Sequence, residues 1–225
     1  MAPSHLPLLV WLSPSFPVGA FAYSHGLEWV HEAGDVIDAL TLEAWLSGLL
    51  QFGAARNDAI LFAEAYRAAE GGDAARLAEL AELALALANS AERRLETTTQ
   101  GDAFVAAAGA AWPCEALTLL KGVWMGTIAY PIAVAASAAG HRIPLPEALA
   151  AFALGFVSNL VSAAVRLGVV GQSDGQRVIA ALMPAVAELA AFAEEATVDD
   201  LGGSAFRSDL AALKHETQYT RLFRS

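Results

Sequence analysis

Apolar residues recur along this chain at intervals of three and four, and no convincing run alternates at intervals of two. Leu42, Trp45, Leu46 and Leu49 form one such face, Ile60, Phe62, Ala63 and Tyr66 a second, and Leu77, Leu80, Ala84 and Leu87 a third. That period belongs to half-buried helices. Punctuation between the faces is of the helical kind. Thr41 is placed to cap the first, with Glu43 in the favourable first turn, and Gly53 to Asn57 bends away from it. Gly71-Gly72 ends the second and Asp73 caps the third; Asn89-Ser90 precedes a segment that carries Leu95, Phe104 and Val105 up to Ala111 and Pro113. Glu115 to Tyr130 reads as one helix despite Gly122 and Gly126, and Pro131 suits the first turn of the next, closed by Gly140. Pro144 and Pro146 lead into an apolar helix from Glu147 that Gly168 and Gly171 end. Ser173 is expected to cap another, with Gln176 at the capping-box position, and Pro184 to divide it from a helix through Ala196. Leu6 to Leu12 reads as a helical turn, Ser24 as the cap of a helix from His25 to Ala33, and Asp209 to His215 as a short last helix. The fold class is therefore all-α: a single compact bundle of roughly nine or ten helices over residues 1–225, without a repeat of fixed period.

One run, Ala148 to Val170, is apolar and long enough to span a bilayer. It contains Ser158, Asn159, Ser162 and Arg166, and an arginine inside a membrane is costly. A helix buried in the bundle and hydrophobic nearly all round is the plainer reading.

Composition sharpens this picture. The hydrophobic fraction is 56% and the charged fraction 16%, an excess that leaves apolar surface over for subunit contacts. A net charge of −11 argues against nucleic acid, which requires a basic stripe. The charge is uneven: residues 204–225 hold four basic and two acidic side chains, so the end of the chain is locally basic on an acidic body and reads as a docking segment. Cys114 is the single cysteine, which excludes an intrachain disulfide. With no signal-like N-terminus, a reducing cytoplasm is the expected setting.

The stretch Ser13 to Glu28 is too broken by Pro14, Pro17 and Gly19 for a helix interior and too apolar for an ordinary surface loop. Phe16, Phe21 and Tyr23 make it a shaped turn that packs against something. The chemistry around it is sparse. His25, Glu28 and Glu32 share a face if the segment is helical, and a histidine with two carboxylates suits weak divalent-metal coordination; a solvated helix start is the bland alternative. No G-x-S-x-G elbow, Walker loop or HExxH motif is present, so no catalytic residue is assigned. The turn after the long apolar helix, with Arg166, Gln172 and Gln176, reads either as a plain connection or as a partner surface. The last residues interleave Tyr219, Leu222 and Phe223 with Arg221 and Arg224, the residue types that anchor interfaces.

These three stretches together resemble the urease accessory protein UreF family. Its opening pattern, close to L-P-x-G-G-F-S-Y-S-x-G-L-E, stands here as Phe16-Pro-Val-Gly-Ala-Phe-Ala-Tyr-Ser-His-Gly-Leu-Glu28, with Ala20 and Ala22 in place of the usual Gly and Ser. The Gly-Gln-x-x-Gly-Gln turn stands at Gly171 to Gln176, and the terminal H-E-x-x-Y-x-R-L-F at His215 to Phe223. The resemblance implies an all-helical, dimeric, non-catalytic protein without cofactor. It would bind UreD (UreH) and recruit the GTPase UreG, so that nickel reaches apo-urease, and could modulate GTP hydrolysis through Arg166, Arg221 or Arg224. Partner-binding residues carried over on the motifs are Phe16, Pro17, Gly19, Phe21, Tyr23, Ser24, Gly26, Glu28, Arg166, Gln172, Gln176, His215, Glu216, Tyr219, Arg221, Leu222 and Phe223. Residues 1–12 and 214–225 would be flexible docking ends. The alternative is a helical nickel-carrying or small-ligand-binding protein.

Overall fold

A computed structural model describes residues 5–225. Among the described residues the regular structure is helical throughout. The α-helices are α1 (Leu6–Trp11), α2 (Leu27–Glu32), α3 (Ala39–Phe52), α4 (Ala54–Glu70), α5 (Ala74–Ala86), α6 (Ala91–Ala111), α7 (Glu115–Val123), α8 (Tyr130–Gly140), α9 (Leu145–Leu167), α10 (Gln172–Glu195) and α11 (Phe206–His215). The all-α reading therefore holds, with eleven α-helices among the described residues where nine or ten helices were expected.

The centre is α8. Every residue from Pro131 to Ala139 is buried, and six of the nine are alanine or serine. Side chains this small let α4 and α6 pack closely on either side of it, since interaxial distance follows side-chain size. α9 lies along α10, and α10 along α3, which closes the layer around α4. α9 is long and apolar enough by composition to cross a membrane, with mean hydropathy 1.9; here half of its apolar window is buried inside the bundle. Gly168, with φ 81°, turns the chain at its end.

Several boundaries differ from the sequence reading, each for a physical reason. Thr41 is not the N-cap of α3: Asp38 is, and Thr41 completes a reciprocal capping box with it. α7 stops at Val123 rather than Tyr130. The segment after it is pulled extended onto α6, where the Asp102 carboxylate accepts from Ile128 N–H (2.9 Å) and the Thr97 hydroxyl accepts from Tyr130 N–H (3.1 Å). Gly101 makes this possible, because a Cβ there would sit 1.9 Å from the Ile128 carbonyl oxygen. α10 begins at Gln172 with Gly171 at its N-cap and no side-chain cap from Ser173. Pro184 lies inside α10 and does not divide it. A proline frees the carbonyl four residues back; Pro184 and Ala180 are both exposed, so water can serve that carbonyl. In α6 the inner face of the first half is polar, with Glu92, Glu96, Thr97 and Gln100 buried, while Leu95 faces solvent.

Of the ends expected as docking segments, residues 1–4 lie outside the described residues, and residues 6–11 form α1, which buries Leu8 and Trp11. Residues 214–225 fold back onto the body, and that seam is the candidate site.

Candidate functional site

The opening stretch is a compact turn. Gly19 enters the left-handed region (φ 73°), and a short 3₁₀ turn, Ala20–Ala22, follows. His25 (φ 53°) and Gly26 (φ 74°) then take left-handed conformations in succession before α2 starts at Leu27. Such a φ is costly for a histidine and persists only where its surroundings hold it. At Gly26 the surroundings are explicit: a Cβ would lie 2.9 Å from Ala212 N and 3.1 Å from Ala211 Cβ, so α11 is packed directly on the turn. Phe16, Tyr23, Ser24 and Glu28 are buried; Pro17 and Phe21 face solvent.

The C-terminal segment is fastened into this turn by buried carboxylates. Glu28 accepts from the main-chain N–H groups of Leu222 (2.6 Å) and Phe223 (3.0 Å), and its Oε2 lies 3.1 Å from His215 Nε2. On the other side of the same ring, His215 Nδ1 meets Glu92 Oε2 at 2.8 Å. A ring with a carboxylate oxygen on each nitrogen donates to both only as the imidazolium. Arg221 bonds the second oxygen of Glu92 (2.8 Å), and Glu216 accepts from Ala91 N–H (2.9 Å), one of the unserved donors at the start of α6. At the end of the chain, the Ser24 hydroxyl and main-chain N–H both donate to the Ser225 carbonyl oxygen, at 2.5 and 2.6 Å. The Ser225 hydroxyl donates to Glu96 (3.2 Å). Arg166 stacks over Phe223, 4.3 Å from the ring centroid.

Behind the seam lies a second layer of charge. Glu96, 1% exposed, receives His25 Nε2 at 2.8 Å, Gln100 at 3.0 Å and Arg93 at 3.5 Å; Arg93 also pairs with Asp58. Burial alone would raise the Glu96 carboxyl, but His25, Arg93 and the Ser225 hydroxyl outweigh it and hold it below the ordinary range. Asp58 goes the other way: burial raises it in spite of Arg93 and His25.

The structure thus brings two of the three sequence stretches together and takes only Arg166 from the third. Gln172 and Gln176 are exposed on the first turns of α10. The residues considered for metal disperse. His25 precedes α2 and faces Glu96, Glu28 holds the tail, and Glu32 accepts from Gln218 (2.5 Å) on the surface. Among the described residues no group of three His, Cys, Asp or Glu side chains is arranged to hold a metal ion. Sequence reasoning missed Glu92, Glu96, Arg93, Asp58 and Ser225. The signal for the glutamates was present, since Glu92, Glu96 and Gln100 recur every fourth residue on a helix whose other half carries core residues at that face.

Fold and seam define a class: an all-helical body whose buried polar groups fasten its own C-terminal segment against an N-terminal turn. Comparison with known proteins supplies the family. The UreF family model matches residues 36–183, the helical body between the turn and the tail. The urease accessory protein UreF of Rhodopseudomonas palustris strain BisA53 is 56% identical over 97% of this chain and 92% of its own length. The protein of that name from Xanthobacter autotrophicus is 54% identical over 99% and 91%. That of Methylobacterium radiotolerans is 52% identical over 98% and 96%. The chain belongs to the UreF family of urease accessory proteins.

Proposed function

We propose that the protein is a urease maturation factor of the cytoplasm, a dimeric scaffold that bridges UreD and the GTPase UreG so that nickel is inserted into apo-urease. One observation beyond family membership supports the reading. The tail motif is divided between anchors and displayed groups: His215 and Phe223 are buried in the seam, whereas Tyr219 is fully exposed and Leu222 largely so. A segment that served folding alone would turn its aromatic inward; an exposed tyrosine and leucine held on a rigid seat are what a partner grips. Arg166 and Arg221 are already engaged with Phe223 and Glu92, which favours contact over phosphoryl-transfer chemistry for them.

The test is assembly. Deleting Leu213 to Ser225 should leave a helical protein that no longer recovers UreD and UreG in a pull-down and no longer supports urease activation. Recovery of the full complex by the truncated chain would refute the scaffold reading. GTP turnover by UreG, measured with Arg166→Ala and Arg224→Ala, separates the finer point: weaker binding with unchanged turnover is expected.

A further inference from the structure

His215 is completely buried, and its ring touches two elements far from it in sequence. Glu28 of α2 meets Nε2 at 3.1 Å and Glu92 of α6 meets Nδ1 at 2.8 Å. The same two carboxylates hold the segment that follows. Glu28 accepts from the Leu222 and Phe223 N–H groups, and Glu92 from the Arg221 guanidinium. Ring and tail therefore share their acceptors, and a change at the ring is felt at residues 221–223.

The charge around this ring balances in one protonation state only. With both nitrogens protonated, the imidazolium and Arg221 face Glu28 and Glu92, two positive groups against two negative. With one proton gone, two buried carboxylates face a single guanidinium whose side chain is 40% exposed. The lone pair of the bare nitrogen then points at a carboxylate oxygen 2.8 or 3.1 Å away, so either neutral tautomer breaks one of the two contacts. A buried carboxylate deprived of its partner is costly. No neighbouring cation replaces the lost charge. Arg93 is engaged by Asp58 and Glu96, and His25 by Glu96. Lys214 adjoins the ring in sequence but is exposed to solvent. The remaining charged groups nearby are acids on donors of their own: Glu216 on Ala91 N–H, Glu32 on Gln218 and Asp209 on Asn89. Release, by contrast, gives up little apolar burial, because only Phe223 and Ser225 are buried among residues 216–225.

We propose that His215 is a protonation-dependent latch: the imidazolium fastens residues 216–225 into the seam between Glu28 and Glu92, and loss of its second proton as pH rises releases them. The holding contribution is present while both nitrogens carry a proton and disappears as pH rises through the titration of the ring. The latch concerns the seat of the tail alone and would stand if the tail met neither UreD nor UreG.

The full chain, ¹³C-labelled in its histidine and phenylalanine rings, reads both ends of the latch by NMR between about pH 5.5 and pH 9.5. The His215 ring signal is assigned by its loss in His215→Gln, and the Phe223 ring signal by its loss in Phe223→Leu. The two should change together, with one midpoint. Phe223 should move toward the position of an unstructured phenylalanine, the ratio of seated to released tail falling at least about tenfold across the step. Phe62, fully buried in the core, should not move. His215→Gln, which offers no charge at any pH, should leave Phe223 released throughout. Glu92→Gln keeps the test open if that variant does not fold. Its amide can accept from Nδ1–H or donate to the bare Nδ1, so Phe223 should stay seated while the ring titrates. A Phe223 signal that stays in place while His215 titrates would overturn the proposal. So would a ring that does not titrate over this range, a seated Phe223 in His215→Gln, or a Phe223 step of unchanged size in Glu92→Gln.

Discussion

Glu28 and His215 stand 187 positions apart in the chain and 3.1 Å apart in the fold. Between them they decide whether the last ten residues have a seat. Glu28 spends one carboxylate on two main-chain N–H groups and a ring nitrogen, and His215 spends one ring on two carboxylates. Glu28 is the one carboxylate that reaches both His215 and the tail amides, so it ties the end of α11 to the last residues.

Glu28→Gln tests that dependence. The amide can accept from one tail N–H but turns its own NH₂ toward another donor. Removing one member of a buried charge pair costs about 3–5 kcal/mol. Hydrogen exchange at the Leu222 and Phe223 amides should accelerate by about a hundredfold or more, while amides in α8 change far less. Unaltered exchange at Leu222 and Phe223 would show that Glu28 does not hold the tail.

Acid should weaken the fold through the carboxylates whose folded values are depressed. Glu96, and Glu64 between Arg67 and Arg76, both lie below the ordinary glutamate value near 4.5 although burial alone would raise them. Their contribution is complete above that value and is lost as pH falls through the folded one. Asp58 has the opposite sign: its folded value is raised, so its protonation favours the native state as acid is added. Denaturant midpoints measured between about pH 6 and pH 3 should fall, less steeply in Glu96→Gln and more steeply in Asp58→Asn.

Pro184→Ala should stabilise the protein. The proline sits within α10, where it removes a hydrogen bond to Ala180. Restoring that bond on an exposed face is worth about 1–3 kcal/mol, offset in part by the freer unfolded chain. A lower thermal midpoint in the variant would mean that packing of α10 on α3 and α9 relies on the interruption.

The tail motif should divide by burial when each residue is replaced with alanine. Tyr219→Ala and Leu222→Ala should leave stability within about 0.5 kcal/mol and remove co-purification with UreD. Phe223→Ala, which empties a buried position under Arg166, should cost about 3 kcal/mol in stability. Tyr219→Ala with undiminished partner recovery would remove the exposed tyrosine from the docking surface.

Helix existence was legible in the sequence because burial on one face imposes a 3.6-residue period, and Asp73, Ser90 and Gly168 ended or began helices where local chemistry said they would. The misplaced boundaries are set by surroundings that lie outside the local sequence. α7 ends early because Asp102 and Thr97 on α6 capture the following backbone, and α10 runs through Pro184 because solvent serves the freed carbonyl. Neither is visible from neighbours along the chain. The seam was half legible. Its two ends were marked by unusual composition, but their meeting rests on Glu92 and Glu96, which read locally as ordinary surface acids of a helix and are instead turned inward by the fold.

The reach of the Ser24–Ser225 contact, 201 positions along the chain, has a consequence in time. Synthesis runs from the N-terminus at about 5–20 residues per second, so the opening turn waits about 10–40 s on the ribosome before the residues that complete it exist. Through that interval Glu28, and Glu92 and Glu96 once they are made, have no His215 or tail amides to meet. The body can assemble around α8 before the residues that close the seam have been made.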